Sequence, residues 1–273
     1  MSNEITRRTM LGTLAGALLI PRYVWSAVTD AELSAYEIMK RNFFASKIKT
    51  LETDTTMLLV TDRGQTRERK MKTLQRMKPN GIDSKLLIRF NAPADIRGVG
   101  YLQIENGEAE DDQWIYLPAL KKSRRLVANN KKDSFMGSDF SYGDFSRPKV
   151  DMYKHALLRS ESSDGHDCFV VESLPRDEAI RTDRGYNKKI TWVRKDSFLE
   201  ARIDYYDLSG ALLKTQIATD HKVVEPETGR WFVMHRETVN FQTKHKTVLQ
   251  IERAQAGVPA PEEAFTTHNI ERE

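Results

Sequence analysis

Apolar and polar residues alternate with a period of two along most of the chain from residue 47 onward. Runs such as TTMLLV, KLLIRF and LEARIDYY are separated by short turns that contain DRG, PNG, NAP and ENG. This pattern is typical of β-strands joined by hairpins. We count about ten or eleven such runs. They predict a mainly β fold with few helices, in which one large antiparallel sheet curls around its apolar face.

One amphipathic helix is predicted before the first strand. Tyr36, Met39 and Phe43 recur at helical spacing, and Thr29 or Asp30 provides an N-cap. Because few helices are available to cover the sheet, we expect an incompletely covered apolar concavity, where a lipid or another greasy ligand would bind. The alternative, in which side chains fill the concavity, stays open.

The N-terminus has the pattern of an export signal. Arg7 and Arg8 precede an uncharged apolar run that is too short to span a bilayer. The paired arginines resemble a twin-arginine signal, with ordinary secretion, a retained anchor or a disordered tail as alternatives. Cleavage after Ser26 would separate the signal, residues 1–26, from a single β domain, residues 27–273. We therefore expect an exported, soluble protein of the periplasm.

Charge and cysteine content exclude several classes of function. The formal net charge is +4, and much of it lies in the N-terminal segment. Nucleic-acid-binding proteins present a dominant basic face, so no nucleic-acid partner is expected. Cys168 is the single cysteine, which excludes an intramolecular disulfide and a cysteine-rich metal site. We interpret it as a small buried hydrophobe rather than a nucleophile.

The stretch from residue 114 to residue 145 changes character twice. WIYLPAL reads as a strand, with Trp114 and Tyr116 on one face, Leu117 on the other, and Pro118 marking a strand end or an edge. KKSRR, residues 121–125, then predicts a basic turn. It would meet anionic lipid headgroups or an acidic face of a membrane partner, or it would only protect an edge strand from aggregation. The candidate docking residues are Lys121, Lys122, Arg124 and Arg125.

The following SFMGSDFSYGDF is a poor strand and a poor long helix. It predicts a loop whose aromatic side chains plug the open end of the sheet, while Asp139 and Asp144 cap local turns. The candidate ligand-binding residues, in the cavity or in its lid, are Trp114, Tyr116, Leu117, Phe135, Met136, Phe140, Tyr142 and Phe145.

Together, WIYLPALKKSRR and SFMGSDFSYGDF resemble the motif of the periplasmic outer membrane lipoprotein-sorting protein family, relatives of the LolA and LolB carriers that are often encoded beside RND-type exporters. The resemblance implies an unclosed β-barrel with a helical and loop lid over a cavity that accepts acyl chains. Its partners would be a lipid or acylated lipoprotein cargo and an inner-membrane RND-type exporter, with transient membrane contact. Gly143 and Phe145 depart from the usual motif, which predicts a more mobile loop.

Motifs typical of enzymes are missing from the sequence. It contains neither HExxH, nor a GxSxG elbow, nor a glycine-rich phosphate loop. We therefore expect no cofactor, no metal and no catalysis. The first hypothesis is a periplasmic lipid or lipoprotein carrier, and the alternative is an accessory module that docks on an RND-type transporter with a filled core. A third, an esterase-like enzyme, lacks a visible triad.

Overall fold

The computed structural model describes residues 33–107, 109–126, 131–146 and 149–272. The chain divides into two units, residues 1–33 and residues 34–273. The expected export signal, with Arg7 and Arg8, lies outside the described residues and stays a prediction.

In the part of the chain that the structure describes, thirteen strands form one sheet in which each pairing is antiparallel. In chain order they are β1 (Thr50–Val60), β2 (Thr66–Met77), β3 (Ser84–Ala92), β4 (Gly100–Ile104), β5 (Asp112–Leu117), β6 (Lys122–Leu126), β7 (Tyr153–Ser163), β8 (His166–Pro175), β9 (Lys188–Arg194), β10 (Glu200–Tyr206), β11 (Leu212–Glu225), β12 (Arg230–Asn240) and β13 (Lys246–Ala256). Each strand pairs with its sequence neighbour except at two places: β1 pairs with β13, and β6 and β7 form the two edges.

The prediction of a mainly β, unclosed antiparallel sheet is confirmed. Between the described residues, β6 and β7 each pair with one neighbour, so the sheet does not close into a complete barrel. The sequence pattern undercounted the strands in part because β6, which overlaps the basic run, is only five residues long. A strand this short shows too little alternation to be separated from its turns.

Within the described residues, four α-helices accompany the sheet: α1 (Ala35–Ala45), α2 (Tyr142–Phe145), α3 (Glu178–Arg184) and α4 (Thr267–Ile270). The N-cap of α1 is Ser34, whose side chain accepts a hydrogen bond from the backbone N–H of Glu37. The expected caps, Thr29 and Asp30, lie outside the described residues, and the described helix begins with Ser34 as its cap instead. In the described part of the chain, no helix is long and apolar enough to cross a membrane.

Side chains on the two faces of the sheet form separate cores. The alternation is cleanest in β1, where Leu51, Met57 and Leu59 are buried along one face. The main cluster takes side chains from this face and from the segment between β6 and β7; its central members are Met57, Met71, Ile88, Phe90, Tyr101, Ile115, Phe135, Phe140, Tyr142 and Leu249. A second cluster contains Leu87, Leu102, Tyr116, Phe265 and Ile270.

Gly100 brings β4 against α4 in the second cluster. A Cβ at this position would lie 2.5 Å from Cγ1 of Ile270, a fully buried side chain. Arg89 also donates to the carbonyl oxygens of Ile270 and Arg272, at 3.3 and 2.7 Å. The C-terminal segment is therefore fixed on β3 and β4 by close packing and by hydrogen bonds to its last carbonyls.

Gly100→Ala is expected to lower the free energy of unfolding by about 1–3 kcal/mol, because the added methyl group overpacks this contact. Urea unfolding of Gly100→Ala, Ile270→Ala and the double variant measures the effect. Since Ile270→Ala makes room for the methyl group, the double variant should lose less stability than the sum of the single variants. Additive losses would contradict direct contact between the two positions.

Cys168 lies in a small cluster with Val170, Trp192 and Ala201. Its side chain is fully buried, and its Sγ donates to the carbonyl oxygen of His166 at 3.4 Å. Burial raises the pKa of the thiol to about 11. These observations confirm the interpretation of Cys168 as a buried hydrophobe.

We expect Cys168 to resist a disulfide-exchange reagent such as Ellman's reagent in the native protein at pH 8. With a pKa of about 11, roughly one thiol in a thousand is ionised at that pH, and burial blocks access as well. The urea-unfolded protein is the control and should react with one equivalent. Rapid reaction of the native protein would show that Cys168 is accessible.

Candidate functional site

A cavity of about 310 Å³ lies between the concave face of the sheet, α1 and the aromatic segment, which we define as residues 134–146. Its walls are contributed by α1, by the aromatic segment and by strands from both halves of the sheet. The volume falls at the lower end of the range for small-molecule sites. The concavity is therefore not completely filled by side chains.

The apolar part of the wall combines the sheet with its cover. Leu51, Met71, Leu249 and Ile251 contribute from the central strands, and Phe43 contributes from α1. Phe140 and Phe145 of the aromatic segment also line the cavity. A hydrocarbon chain placed here would contact apolar groups from both sides.

The remainder of the wall is polar and internally hydrogen-bonded. Thr53 lies 2.6 Å from Thr73 and 3.3 Å from Thr55 through their hydroxyl oxygens. At another part of the wall, Arg236 donates to Glu200 at 2.7 Å. Because these groups already have partners, they can face the cavity without the cost of an unpaired buried polar group. The cavity thus has both apolar and polar surfaces, as an amphiphile requires.

A buried ion pair fixes the aromatic segment to the sheet. The ammonium group of Lys214 on β11 donates to Asp144 at 2.6 Å and to the carbonyl oxygen of Asp139 at 2.7 Å. The two charged side chains are only 4% and 7% exposed. Tyr186 donates to the same carboxylate at 3.1 Å. Burial alone would raise the pKa of Asp144, but Lys214 and these hydrogen bonds outweigh it and lower that pKa.

Asp144 also caps α2, as the sequence predicts. Its carboxylate accepts from the backbone N–H of Ser141 at 2.8 Å, and the Ser141 hydroxyl accepts from the backbone N–H of Asp144 at 3.2 Å. This reciprocal pair is a capping box. One carboxylate therefore serves both the local turn and the ion pair with the sheet.

Asp139 differs from its expected role as a turn cap. Its carboxylate accepts from the Thr247 hydroxyl on β13 at 2.7 Å, and its backbone N–H lies 2.9 Å from the same oxygen. Burial raises the pKa of Asp139, although the Thr247 hydrogen bond opposes that shift. Asp139 thus connects the aromatic segment to a second strand rather than capping a turn.

Aromatic side chains of the segment pack together beneath this anchor. The ring of Phe135 is fully buried and lies 4.3 Å from that of Phe145 and 5.4 Å from those of Tyr101 and Tyr142, between ring centroids. Phe135 and Tyr142 thus belong to the main core cluster, while Phe140 and Phe145 line the cavity. Met136 packs at the edge of the same cluster.

The three candidate ligand-binding residues on β5 lie outside the cavity wall. Trp114 and Tyr116 pack with the second cluster, beside Phe265 and Ile270, and do not line the cavity. The expectation that they face the cavity needs correction, because Ile115 and Gln113 turn to the inner face and alternation sends Trp114 and Tyr116 outward. Leu117 packs at the margin of the main cluster.

The predicted basic turn is mostly strand. A short 3-10 helix at Pro118–Leu120 and a left-handed Lys121 form the turn, and Lys122 already begins β6. This corrects the predicted position of the turn. Because β5 ends at Leu117, directly before Pro118, the turn comes before most of the basic run. Lys121, Lys122, Arg124 and Arg125 are nevertheless exposed, and Arg125 pairs with Asp112. Their charges therefore follow the edge of the sheet.

Sequence analysis missed the residues that anchor the aromatic segment. Lys214 lies within LLKTQIA, and Thr247 and Tyr186 lie in unremarkable polar surroundings. Arg184, also buried, donates to the carbonyl oxygen of Gly143 at 3.0 Å. A lysine inside an apolar strand was the one available signal, since an inward-facing charge needs a buried partner.

The unusual glycine in the motif has a steric explanation. A Cβ on Gly143 would lie 3.1 Å from the carbonyl oxygen of Lys131, which accepts from the Gly143 N–H at 2.7 Å. Glycine therefore permits this close approach. The greater mobility expected from Gly143 and Phe145 stays a prediction.

Within the described ranges, no group of three or more His, Cys, Asp and Glu side chains is arranged to hold a metal ion. The cavity wall also contains a histidine and serine pair, His155 and Ser173, whose Nδ1 and Oγ atoms lie 2.8 Å apart.

A family model described as an uncharacterized protein matches residues 82–272. No curated protein matches the sequence. Among solved structures, a candidate outer membrane lipoprotein-sorting protein domain from Vibrio parahaemolyticus is 28% identical, with a TM-score of 0.80, and the match covers 87% of this chain and 98% of that chain.

Two further solved structures have the same fold. A DUF1329 family protein from Desulfovibrio piger is 28% identical with a TM-score of 0.80, over 86% of this chain and 97% of that one. A LolA superfamily protein from Nitrosomonas europaea is 19% identical with a TM-score of 0.64, over 86% and 98% of the two chains. The last likeness concerns the fold alone.

Proposed function

The chain belongs to the LolA-like family that this model and these structures define, and we propose that it is a periplasmic carrier of a lipid or of a lipoprotein acyl chain. The observation that carries the proposal is the partly apolar cavity of about 310 Å³ under a lid. The name of the lipoprotein-sorting relative from Vibrio parahaemolyticus supports the same class of cargo. The protein would act by binding and release rather than by catalysis.

Capture would be driven by burial of hydrocarbon. Each methylene group moved from water into the cavity contributes about 0.8 kcal/mol. The polar part of the wall would receive the polar end of the cargo, because a group placed there keeps hydrogen-bond partners. A cargo with one apolar and one polar end therefore fits better than a pure hydrocarbon.

We propose that α1 is the part of the lid that moves. The aromatic segment is fixed by the buried Lys214–Asp144 pair, whereas α1 is held by the packing of its apolar face and by partly exposed side-chain hydrogen bonds. Asn42 donates to the carbonyl oxygen of Phe198 at 2.8 Å, and Arg230 donates to that of Phe44 at 2.9 Å. Partly exposed bonds of this kind break at lower cost than a buried ion pair.

The exposed basic residues of β6 and of the turn before it are proposed as the docking surface for a membrane or membrane partner. Lys121, Lys122, Arg124 and Arg125 would attract anionic lipid, with about 1 kcal/mol for each charge near the surface. The family resemblance makes an RND-type exporter the proposed partner. Transfer would then require transient contact between this edge and the membrane assembly.

Native mass spectrometry tests the carrier proposal. The protein is purified without detergent from its own host, and the bound species is extracted and identified. A stoichiometric lipid or acylated species is the expected result. A protein that stays free of ligand after incubation with membranes and candidate lipids would overturn the carrier proposal and favour the docking module instead.

A further inference from the structure

Three polar side chains lie side by side across one half of the sheet and face the cavity. His155 on β7 is the register partner of Ser173 on β8, and Ser173 is the register partner of Lys189 on β9. All three line the cavity. The ammonium group of Lys189 lies 4.5 Å from the ring centroid of Tyr153, which also lines the cavity. The row therefore presents the ammonium group of Lys189 beside the hydroxyl group of Ser173 and the imidazole ring of His155.

His155 contributes polarity to this row but no positive charge. Its Nε2 lies 3.0 Å from the carbonyl oxygen of Val150, which can only accept, so Nε2 carries the proton. Nδ1 is then free to accept from the Ser173 hydroxyl at 2.8 Å. Burial lowers the pKa of His155, which favours this neutral form. Lys189 is therefore the charged member of the row.

The carboxylates on the cavity wall already have cationic partners. Asp144 pairs with Lys214 at 2.6 Å, and Glu200 pairs with Arg236 at 2.7 Å. Asp151, near His155, is exposed and accepts from the Tyr36 hydroxyl at 2.9 Å. Among the described residues, no carboxylate oxygen lies within 4.0 Å of the Lys189 ammonium group. The wall thus presents a lysine without a carboxylate counterion.

We propose that Lys189 binds the anionic headgroup, a carboxylate or a phosphate, of the amphiphile held in the cavity. The inference rests on the proposed carrier function and adds the chemical class of the cargo. A charge-assisted hydrogen bond from the ammonium group to an anionic oxygen would supply the missing counterion. The hydrocarbon chain would then lie along the apolar wall formed by Leu249 and Ile251.

Binding of matched amphiphiles tests this assignment. The probes are dodecanoate, dodecyl phosphate, the uncharged dodecanol and inorganic phosphate, each titrated by calorimetry into the wild-type protein. We expect the two anionic amphiphiles to bind about tenfold more tightly than dodecanol, because a charge-assisted hydrogen bond contributes only to the former. Inorganic phosphate should bind weakly or not at all, since it lacks the chain.

Lys188 offers a matched control, because it is adjacent in sequence but faces the other side of the sheet and pairs with Glu172 at 2.9 Å. Lys189→Met should remove the preference for anionic amphiphiles and leave dodecanol binding unchanged. Lys188→Met should keep the preference, and Lys189→Arg should restore most of it. Circular dichroism of each variant confirms that it folds.

The outcomes separate the two proposals. Equal affinity of the wild-type protein for dodecanol and for the anionic amphiphiles would overturn the headgroup assignment and leave the carrier function intact. The same holds if Lys189→Met retains the preference. Tight binding of inorganic phosphate alone would overturn the headgroup assignment and show that Lys189 binds a free anion instead. No binding of any amphiphile would contradict the carrier function and, with it, this inference.

Discussion

Ile203→Trp is expected to weaken binding of a lipid-like ligand by about fifty-fold. Ile203 lies on β10 and lines the cavity, so the larger indole fills space that a hydrocarbon chain would occupy. Displacing about three methylene groups costs about 2.4 kcal/mol, which corresponds to the expected factor. Titration with dodecanoate measures the change directly.

Ile217→Trp on the neighbouring strand is the control. Ile217 is exposed on the outer face of β11, while its neighbour Gln216 lines the cavity. The same substitution at this position should leave ligand affinity within about twofold, because it adds no volume to the cavity. If both variants bind as the wild-type protein does, the ligand site lies elsewhere. If only Ile203→Trp fails to bind but also fails to fold, Ile203→Phe provides a smaller change.

Asp144→Ala is expected to lower the free energy of unfolding by about 3–5 kcal/mol. The substitution leaves the ammonium group of Lys214, only 4% exposed, without its carboxylate partner. It also removes the capping box with Ser141. Urea unfolding measures the loss, and proteolysis within residues 131–146 should accelerate because the aromatic segment loses its anchor.

Two comparisons separate the buried pair from charge in general. Lys70 and Glu68 form an exposed ion pair, so Glu68→Ala should lower the free energy of unfolding by no more than about 1 kcal/mol. The double variant Asp144→Ala with Lys214→Met should recover part of the loss, because no unpaired buried cation remains. A loss below 1 kcal/mol for Asp144→Ala would show that the pair does not fix the segment.

The direction of the Asp144 pKa shift also sets a pH dependence. Its pKa is lowered in the folded protein, so its carboxylate stabilises the fold above its unfolded pKa, about 3.9. That contribution is lost as the pH falls through the lower folded pKa. The difference in stability between the wild-type protein and Asp144→Ala should therefore narrow in acid.

Strand alternation and turn composition predicted the fold well where a long strand has one buried face. In β1 every second residue is buried, and a pattern of that length is unambiguous. β6 shows the opposite case: four of its five residues are polar, and the basic run read as a turn. Pairing between the first and last strands has no local signal at all, since it depends on contacts far apart in sequence.

The site was predictable in composition and less so in geometry. The aromatic segment stood out because its residues suit neither strand nor helix, and Phe140 and Phe145 do reach the cavity. Which face of β5 turns inward depended on Gln113, whose side chain donates to Ser146 at 2.9 Å. The sequence pattern assigned Trp114 to the inner face because tryptophan is more apolar than glutamine. The polar Gln113 lies on that face instead, so the assignment was wrong. Lys189 carried no signal, since its neighbour Lys188 faces the opposite side.

The pairing of β1 with β13 has a consequence for the order of folding. Strands β1 to β6 and strands β7 to β13 each form a meander of sequence neighbours, so both halves depend on short hairpin contacts. The seam joins residues about two hundred positions apart, as in the pair of Leu51 with Ala256. We therefore expect each half-sheet to form early, and the cavity between them to appear only in the last, slow step that closes the longest loop.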